Sequence, residues 1–535
     1  MSFRGIMTTI KPLAQLDQLT LDADTKQQVT DIVQTLLDQA QQEIRAQEIR
    51  IQALTLELVY LRRIRFGKKS EVLPSTTQPS LFEESLQSDM AAVIAEIKQL
   101  HAPTPTDIPK APRARAGRQP LPDHLPRIEH RHEPQSCRCD QCGSDLIKIG
   151  EDVTEQLDVE PARFFVHRHI RPQYACKSCE TVSAEPIPPA VIDGGMAAPG
   201  LLAWVMVSKY LNHLPLYRLE QIAAREQVTL PRSTLAEWVG RTDVTLQPLV
   251  DRLAGHLLQS NTLHADETPV AQLEPGNGKT RKAYLWAYRS NDLESGPRIV
   301  IFDYHAGRSR RHAQDFLKNW RGHLLVDDYG GYKPLFSRAQ SPCTELGCWV
   351  HARRKFYDLH QANASTVAFE ALQRIGNLYA VEEEGKHLAI EARQQLRAEK
   401  SLPVLAALYD WLMQARMQTA NGGASAKTQD YTLKRWASLV RYARTGHLPI
   451  DSNPVENVIR PIAVGKKNWL FAGLERAGQR AAAIQTLLGT AQLNSLDPAS
   501  WLKNTLTKLP AWPNSRIDEL LPLAPEFIKS LKLNE

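Results

Sequence analysis

The chain has 535 residues, of which 42% are hydrophobic and 23% are charged, and its formal net charge is +6. This length predicts several domains, and the composition is that of a globular protein rather than a fibrous or wholly disordered one. The longest early uncharged apolar run, residues 194–208, is shorter than the ~20 residues that a membrane-spanning helix needs. The first residues lack the apolar core of a signal peptide, and seven cysteines are too few for a disulfide scaffold. We therefore expect a cytoplasmic protein with no membrane partner.

Heptad repeats of apolar residues begin near the N-terminus. No proline or glycine interrupts residues 24–66. This segment carries two interleaved series at the a and d spacing of a coiled coil: Leu37, Ile44, Ile51 and Leu58, and Val33, Ala40, Gln47, Leu54 and Leu61. The pattern predicts an N-terminal coiled-coil helix within residues 1–69, which would make the protein a homo-oligomer, a dimer or higher. The alternative is a helix that packs on its own domain.

A proline-rich basic segment follows. Residues 101–134 contain 8 of the 34 prolines, interspersed with lysine and arginine. Such a segment cannot bury enough apolar surface to fold alone, so residues 70–132 are predicted to form a basic linker. The linker could contact DNA phosphates or act only as a solvated tether.

Two C-x2-C pairs come next, Cys139 with Cys142 and Cys176 with Cys179. Residues 152–174 between them alternate in polarity as strands do, which predicts a zinc ribbon over residues 133–190. Four thiolates arranged around Zn²⁺ leave no open position, so the predicted zinc is structural. Cys137 is a fifth thiol close by and could replace one of the four.

Residues 191–258 are predicted to be helical. Segments 218–227 and 233–241, separated by a turn at residues 229–232, have the spacing of a helix–turn–helix, with Ser233 or Thr234 as the cap of the second helix. Because many helix pairs share this spacing, DNA binding and simple helix packing both remain open for this region.

After residue 261 the pattern becomes that of an α/β domain. Strands are predicted at residues 262–268, 283–289 and 298–302, then a helix at 311–320 and a strand at 323–327. Three strands, a helix and a fourth strand that ends in aspartate is the element order of a ribonuclease-H-like core, predicted over residues 259–475. Strand alternation is missing from about residue 360 to 445, which predicts an all-helical insertion, and residues 476–535 are predicted to be a C-terminal helical segment.

Carboxylates cluster at the ends of these predicted elements. Asp266 and Glu267 lie on the first strand, Asp327 and Asp328 end the fourth, and Glu456 lies near the start of a later helix. Phosphodiester cleavage can use two Mg²⁺ or Mn²⁺ ions about 3.5–4 Å apart, and Mg²⁺ is commonly held by one or two carboxylates. Neighbours on a strand point to opposite faces, so one acid of each pair can reach a common site. Spacing alone does not decide which.

At these residues the chain resembles transposases of the insertion sequence 66 family, specifically their large DDE-type subunit, transposase C. Besides the cysteine pairs, the resemblance rests on residues 61–71, 150–155, 168–172, 208–218, 263–269, 348–356 and 468–473. It implies Asp266, Asp327 and Glu456 as the metal-binding catalytic triad, which resolves both acid pairs. Asp328 departs from the family's pattern, which has a small residue at that position. The resemblance also implies helper proteins encoded by the same element.

Two clusters beside these motifs are predicted to bind DNA. Basic side chains neutralise phosphates, and an aromatic ring can stack on an unpaired base. His351 could assist in the site or make a structural hydrogen bond, Arg460 could pair with Glu456 or reach the scissile phosphate, and Trp469 could equally be core. The predicted DNA-binding residues are Arg353, Arg354, Lys355, Arg460, Lys466, Lys467 and Trp469.

The expected function is that of a DDE transposase of a bacterial insertion sequence. It would bind the terminal inverted repeats of the element and the target as double-stranded DNA, and catalyse Mg²⁺-dependent cleavage and strand transfer, in the cytoplasm and on the nucleoid. The alternatives are a metal-dependent nuclease without strand transfer, and a zinc- and coiled-coil-bearing DNA-binding protein whose catalytic core has decayed.

Overall fold

The structure is a computed structural model that describes residues 121–132, 146–160, 163–176, 179–274, 279–337 and 343–528. These residues belong to one compact unit. The predicted coiled coil, residues 70–120 of the predicted linker, and Cys137, Cys139 and Cys142 lie outside the described residues, as does the side chain of Cys176.

A small sheet occupies the start of the described chain. It contains β1 (Arg127–Arg131), β2 (Leu146–Glu160), β3 (Arg163–Cys176) and β4 (Val182–Ser183). Strands β2 and β3 form a long antiparallel pair in which Leu146 lies opposite Cys176, and β1 runs parallel to β3. This pair confirms the strands predicted between the cysteine pairs. One face of it packs on the helices that follow, through residues such as Leu157 and Val166.

The region predicted to be helical follows and contains three α-helices. Helix α1 (Pro199–Met206) continues into a π-helical turn (Val207–Leu211) and is followed by α2 (Leu216–Arg225) and α3 (Arg232–Leu257). The predicted cap by Ser233 or Thr234 is wrong: Pro231 is the N-cap residue, and no side chain caps the helix. Proline fixes φ near the helical value, so the helix begins directly after it. Helix α3 also continues 16 residues beyond the predicted end at residue 241, because apolar residues keep facing the core as far as Leu257.

The main sheet has five strands in the order β7-β6-β5-β8-β9. They are β5 (Thr262–Leu273), β6 (Thr280–Ser290), β7 (Val300–His305), β8 (Gly322–Val326) and β9 (Cys343–Gly347). The first three are antiparallel neighbours, whereas β8 and β9 run parallel to β5 and β8, respectively. Helix α4 (Arg310–Leu317) joins β7 to β8 and ends three residues before the predicted limit, because the next residue, Lys318, has a φ of 33°. Strand β9 was not predicted.

Every regular element described between residues 349 and 444 is helical, as the missing strand alternation predicts. The helices are α5 (Trp349–Asn363), α6 (Thr366–Glu384), α7 (Ile390–Leu396), α8 (Leu402–Met417), α9 (Ala424–Lys434) and α10 (Trp436–Leu439). A π-helical turn (Arg397–Ser401) links α7 to α8, and a 3₁₀ turn (Arg441–Arg444) ends the segment. These helices share a core of their own with one side of β8 and β9, which includes Trp349, Phe356 and Leu408.

The chain then returns to the main sheet. Helix α11 (Asn453–Trp469) and helix α12 (Glu475–Leu493) pack against β5, β6 and β7, and α13 (Pro498–Lys508) follows. Gly465 permits a close approach of α11 to His213, because a Cβ at that position would lie 2.2 Å from the imidazole. None of the helices described is long and apolar enough to cross a membrane.

Candidate active site

Strand register brings the two predicted aspartates to one edge of the main sheet. Strands β5 and β8 are parallel neighbours, and His264 is the register partner of Leu325. Continuing this register by two residues aligns Asp266, which lies on β5, with Asp327, the first residue after β8. Both side chains are half-buried. Two carboxylates on adjacent parallel strands therefore face the same region.

The electrostatic surroundings of Asp266 include the other two predicted acids, Asp327 and Glu456. Burial raises the pKa of Asp266 to about 8, and the negative charges of Glu267, Asp327 and Glu456 act in the same direction. The backbone N–H of Glu267, which donates to Oδ1 of Asp266 at 2.8 Å, opposes this rise only in part. Such a concentration of carboxylates disfavours the charged form, so a cation among them would relieve the repulsion.

Glu456 is fixed by a short chain of hydrogen bonds at the start of α11. The Ser452 hydroxyl donates to Oε1 of Glu456 at 2.7 Å, and the Cys348 sulfur lies 3.1 Å from the same hydroxyl oxygen. The Ser452 N–H donates to that sulfur at 3.3 Å. Burial raises the pKa of Cys348 to about 12, so the thiol stays protonated and can donate to Ser452. Ser452 thus holds the Glu456 carboxylate directly, and Cys348 holds Ser452 in place.

His351 lies beside the same glutamate. Its Nδ1 is 3.8 Å from Oε1 of Glu456, and this buried nitrogen has no hydrogen-bond partner within the described part of the chain. Nδ1 therefore does not make, within those residues, the structural hydrogen bond considered as an alternative role for this side chain. Ligand atoms of Cys348, His351 and Glu456 all lie within 4.8 Å of one another, close enough to hold a metal ion.

The second acid of each pair is engaged elsewhere. Glu267 is almost fully buried and accepts from Nε of Arg308 at 2.7 Å and from the Tyr332 hydroxyl at 2.7 Å. Asp328 pairs with Arg435 at 2.7 Å and with Lys333 at 3.1 Å. Partial burial raises the pKa of Asp328, but these two cations outweigh it and hold the pKa below its ordinary value.

The predicted DNA-binding residues divide into exposed and packed groups. Arg353, Arg354 and Lys355 are exposed on α5, within two turns of His351. Arg460 is exposed on α11, and among the described residues it makes no ion pair with Glu456.

The remainder of this set lies at the C-terminal end of α11. Lys466 donates to the Pro269 carbonyl at 3.0 Å, while Lys467 is exposed. Trp469 is half-buried against the core beside α11 and lines a cavity of about 80 Å³, so much of its ring is used in packing.

One of the predicted zinc ligands has a described side chain. Cys179 is half-buried, and its sulfur lies 3.2 Å from the Thr181 hydroxyl. Cys176 ends β3, opposite Leu146, and Cys142 precedes Leu146 by four residues in the sequence. The hairpin of β2 and β3 therefore brings Cys176 next to the start of β2, the strand that follows the first cysteine pair in the sequence.

Several residues that shape the site were missed in the sequence. Ser452, Cys348 and Arg435 act across more than 100 residues of chain, through contacts between Cys348 and Ser452 and between Arg435 and Asp328. The one local signal was Ser452 directly before Asn-Pro at the start of a predicted helix, since serine favours helix N-termini.

Comparison with known proteins gives matches along most of the chain. Residues 194–480 match the family described as Transposase IS66 family, and residues 136–180 match the zinc-finger binding domain of transposase IS66. Residues 53–129 match Transposase C of IS166 homeodomain, and residues 486–523 match the IS66 C-terminal element. The uncharacterized protein y4qI of Sinorhizobium fredii is 36% identical over 485 residues, which cover 88% of this chain and 89% of y4qI. The uncharacterized protein y4jD of the same organism is 35% identical, with 88% and 94% covered.

Proposed function

The chain belongs to the IS66 family of transposases, and from this premise we propose that it cleaves and joins DNA at a site formed by Asp266, Asp327 and Glu456. The observation that carries the proposal is the parallel register of β5 and β8, which aligns Asp266 with Asp327. Burial raises the pKa of Asp266 to about 8, and the charges of Glu267, Asp327 and Glu456 add to this rise. Acids that repel one another in this way are unfavourable in a protein core unless a cation offsets their charge. The order of the five-strand sheet supports a ribonuclease-H-like core.

The donor set fits hard divalent cations. Asp266, Asp327 and Glu456 offer carboxylate oxygens, which suit Mg²⁺ and Mn²⁺, and we propose that they hold two such ions. When bound, the ions would supply an activated oxygen nucleophile and stabilise charge on the leaving oxygen. Ser452 and Cys348 would hold the Glu456 carboxylate in a fixed orientation. Glu267 and Asp328 would remain outside the ligand set because their own cations neutralise them.

The reaction proceeds in two phosphoryl transfers at the same carboxylates. Water attacks the phosphodiester at the end of the element, the bond to the leaving 3′ oxygen breaks, and a 3′ hydroxyl is released. That hydroxyl then attacks a phosphodiester of the target DNA in line. The 3′ oxygen of that target phosphodiester is displaced, which joins the element end to the target strand. Neither transfer requires a covalent bond between protein and DNA. The exposed Arg353, Arg354 and Lys355, with Arg460 and Lys467, would neutralise phosphates of double-stranded DNA beside the site.

The remaining assignments concern the other parts of the chain. The zinc-finger match supports a structural Zn²⁺, and we assign Cys139, Cys142, Cys176 and Cys179 as its ligands. We further propose that the N-terminal heptads pair protomers and that α2 and α3 help to recognise the terminal repeats. Element-encoded helper proteins and action in the cytoplasm on the nucleoid belong to the same proposal, as do the domain limits predicted from the sequence.

The proposal is tested with purified protein, a DNA fragment that carries paired element ends, and a target plasmid. With Mg²⁺ we expect cleaved ends and joined product, both lost when Mg²⁺ is chelated. Asp266→Ala should abolish both products and leave end binding intact, whereas Asp315→Asn, on the exposed face of α4, should change neither. Cleavage without joining would indicate a nuclease, and binding without cleavage by the wild type would indicate a decayed core. An Asp266→Ala protein that still cuts would exclude the assigned acids.

A further inference from the structure

We propose that His351 is a direct ligand of the divalent ion that Glu456 holds, so that the metal centre contains one imidazole nitrogen beside its carboxylates. This inference rests on the proposed function and deepens it. It assigns a fourth protein ligand and, through that ligand, a metal preference.

The geometry between His351 and Glu456 suits a shared ion better than a direct contact. The 3.8 Å between Nδ1 and Oε1 is too long for a hydrogen bond. In an octahedral ion with bonds of about 2.1 Å, adjacent ligand atoms lie about 3.0 Å apart and opposite ones about 4.2 Å apart. The observed separation falls between these two values. An ion could therefore bond to both atoms after a small adjustment of either side chain.

The hydrogen-bond state of His351 supports the same role. Buried polar atoms in proteins are nearly always paired, and an unpaired one calls for an explanation. Nδ1 of His351 is buried and has no partner among the residues that the structure describes. A neutral imidazole nitrogen with a free lone pair is a common metal ligand. An ion shared with Glu456, whose Oε1 lies 3.8 Å away, would give this nitrogen a partner.

Cys348 is the third member of this group but has a different role. Its sulfur contacts the hydroxyl and the N–H of Ser452. A soft sulfur ligand also suits Mg²⁺ and Mn²⁺ poorly, because these hard ions prefer oxygen ligands. Cys348 is therefore a positioning residue that acts on Glu456 through Ser452, and His351 is the member that touches the ion.

An imidazole ligand changes which ion the site prefers. Carboxylate and water ligands suit Mg²⁺ and Mn²⁺ alike, but nitrogen ligands are bound better by the transition metals than by Mg²⁺. The wild type is therefore expected to bind Mn²⁺ more tightly than a site of three carboxylates would. Loss of the imidazole should reduce the advantage of Mn²⁺ over Mg²⁺.

The test is pulsed electron paramagnetic resonance on Mn²⁺ bound to the full-length protein without DNA. A directly bonded imidazole gives a ¹⁴N modulation, which should change to the ¹⁵N pattern when the histidines are labelled with ¹⁵N. His351→Ala should abolish the modulation and weaken Mn²⁺ binding about tenfold or more. His360→Ala is the matched control on the same helix, because His360 lies beside the Ser365 carbonyl instead, and it should change neither reading.

The outcomes separate the inference from the proposed function. If wild-type protein binds Mn²⁺ through Glu456 but shows no nitrogen modulation, His351 is not a ligand, and the carboxylate site still stands. If Glu456→Gln leaves Mn²⁺ affinity and DNA cleavage unchanged, the proposed site itself is wrong. The labelling experiment needs no substitution, so the absence of a histidine ¹⁵N pattern would overturn the inference even if His351→Ala fails to fold.

Discussion

The raised pKa of Asp266 should make the metal-free protein less stable as the pH rises. In the unfolded chain this carboxyl loses its proton near the ordinary value of 3.8, whereas in the folded protein it keeps the proton to about pH 8. Between these values the unfolded state binds fewer protons, so the free energy of unfolding falls with increasing pH. Asp266→Asn replaces the carboxyl with a neutral group of the same shape. It should remove this part of the pH dependence.

The size of the effect follows from the pKa of Asp266 in the folded and the unfolded protein. A tenfold change in an acid dissociation constant corresponds to about 1.4 kcal/mol, so a rise in pKa from 3.8 to about 8 sets a ceiling of about 5 to 6 kcal/mol. Because Asp266 is only half-buried, water reduces the effect, and we expect roughly 2 to 3 kcal/mol. The variant should therefore match the wild type near pH 4 and exceed its free energy of unfolding by this amount at pH 8.5.

The assay is urea unfolding followed by tryptophan fluorescence, in buffer freed of Mg²⁺ and Mn²⁺ by a resin that leaves bound zinc in place. Comparing the two proteins at each pH cancels the other titrating groups, and Asp315→Asn on exposed α4 controls for the loss of one surface charge. Added Mn²⁺ should stabilise the wild type at pH 8.5 but not Asp266→Asn. Two results would refute the expected role of Asp266: a difference between the proteins that is the same at pH 4 and pH 8.5, or a variant that is the less stable protein at pH 8.5.

Three further predictions concern neighbouring contacts. Ser452→Ala removes the hydroxyl that donates to Glu456 at 2.7 Å. Since hydrogen bonds to charged groups contribute about 1.5–3 kcal/mol, cleavage at the element end should slow roughly 10- to 100-fold. An unchanged cleavage rate would contradict the positioning role of Ser452. Arg435→Ala removes the nearly buried guanidinium that Asp328 and Glu345 share, while Lys333 still pairs with both acids, and should cost about 3 kcal/mol, measured by thermal melting, with Arg435→Lys recovering part of it. Replacing both Arg353 and Arg354 with alanine should weaken binding to all DNA duplexes alike and lower the steepness of log affinity against log salt concentration by about 2. A loss of affinity that depends on the DNA sequence would instead indicate base contacts.

Patterns with a short period in the sequence predicted the fold well where one face of an element is buried. The alternation over residues 152–174 corresponds to β2 and β3, and the helical region predicted over residues 191–258 contains α1, α2 and α3. Strand β9 was not predicted because its sequence, Cys-Thr-Glu-Leu-Gly, shows no alternation of apolar and polar residues and is not rich in β-branched residues. What makes it a strand is pairing with β8, a contact that no local pattern reveals.

In the candidate site too, local patterns could be predicted from the sequence and long-range contacts could not. The acids could be proposed because strand ends and helix starts are visible in the sequence. Their surroundings could not, because Cys348 meets Ser452, and His351 meets Glu456, only after about 100 residues of helical chain have folded. Spacing also could not choose between Asp327 and Asp328, and the difference between them in the structure is Arg435, which a single sequence does not connect to that strand.

Arg435 also explains how a long helical segment can intervene between the acids without loosening the site. Its guanidinium is 5% exposed and bonds to Asp328, directly after Asp327, to Glu345 on β9 and to the Val326 carbonyl on β8. The end of the helical segment is thereby held at the same strand end as Asp327. Its start, at α5, carries His351 to within 3.8 Å of Glu456. Because the segment is attached at both ends beside the carboxylates, its length need not enter the geometry of the site, and loss of Arg435 should weaken metal binding as well as the fold.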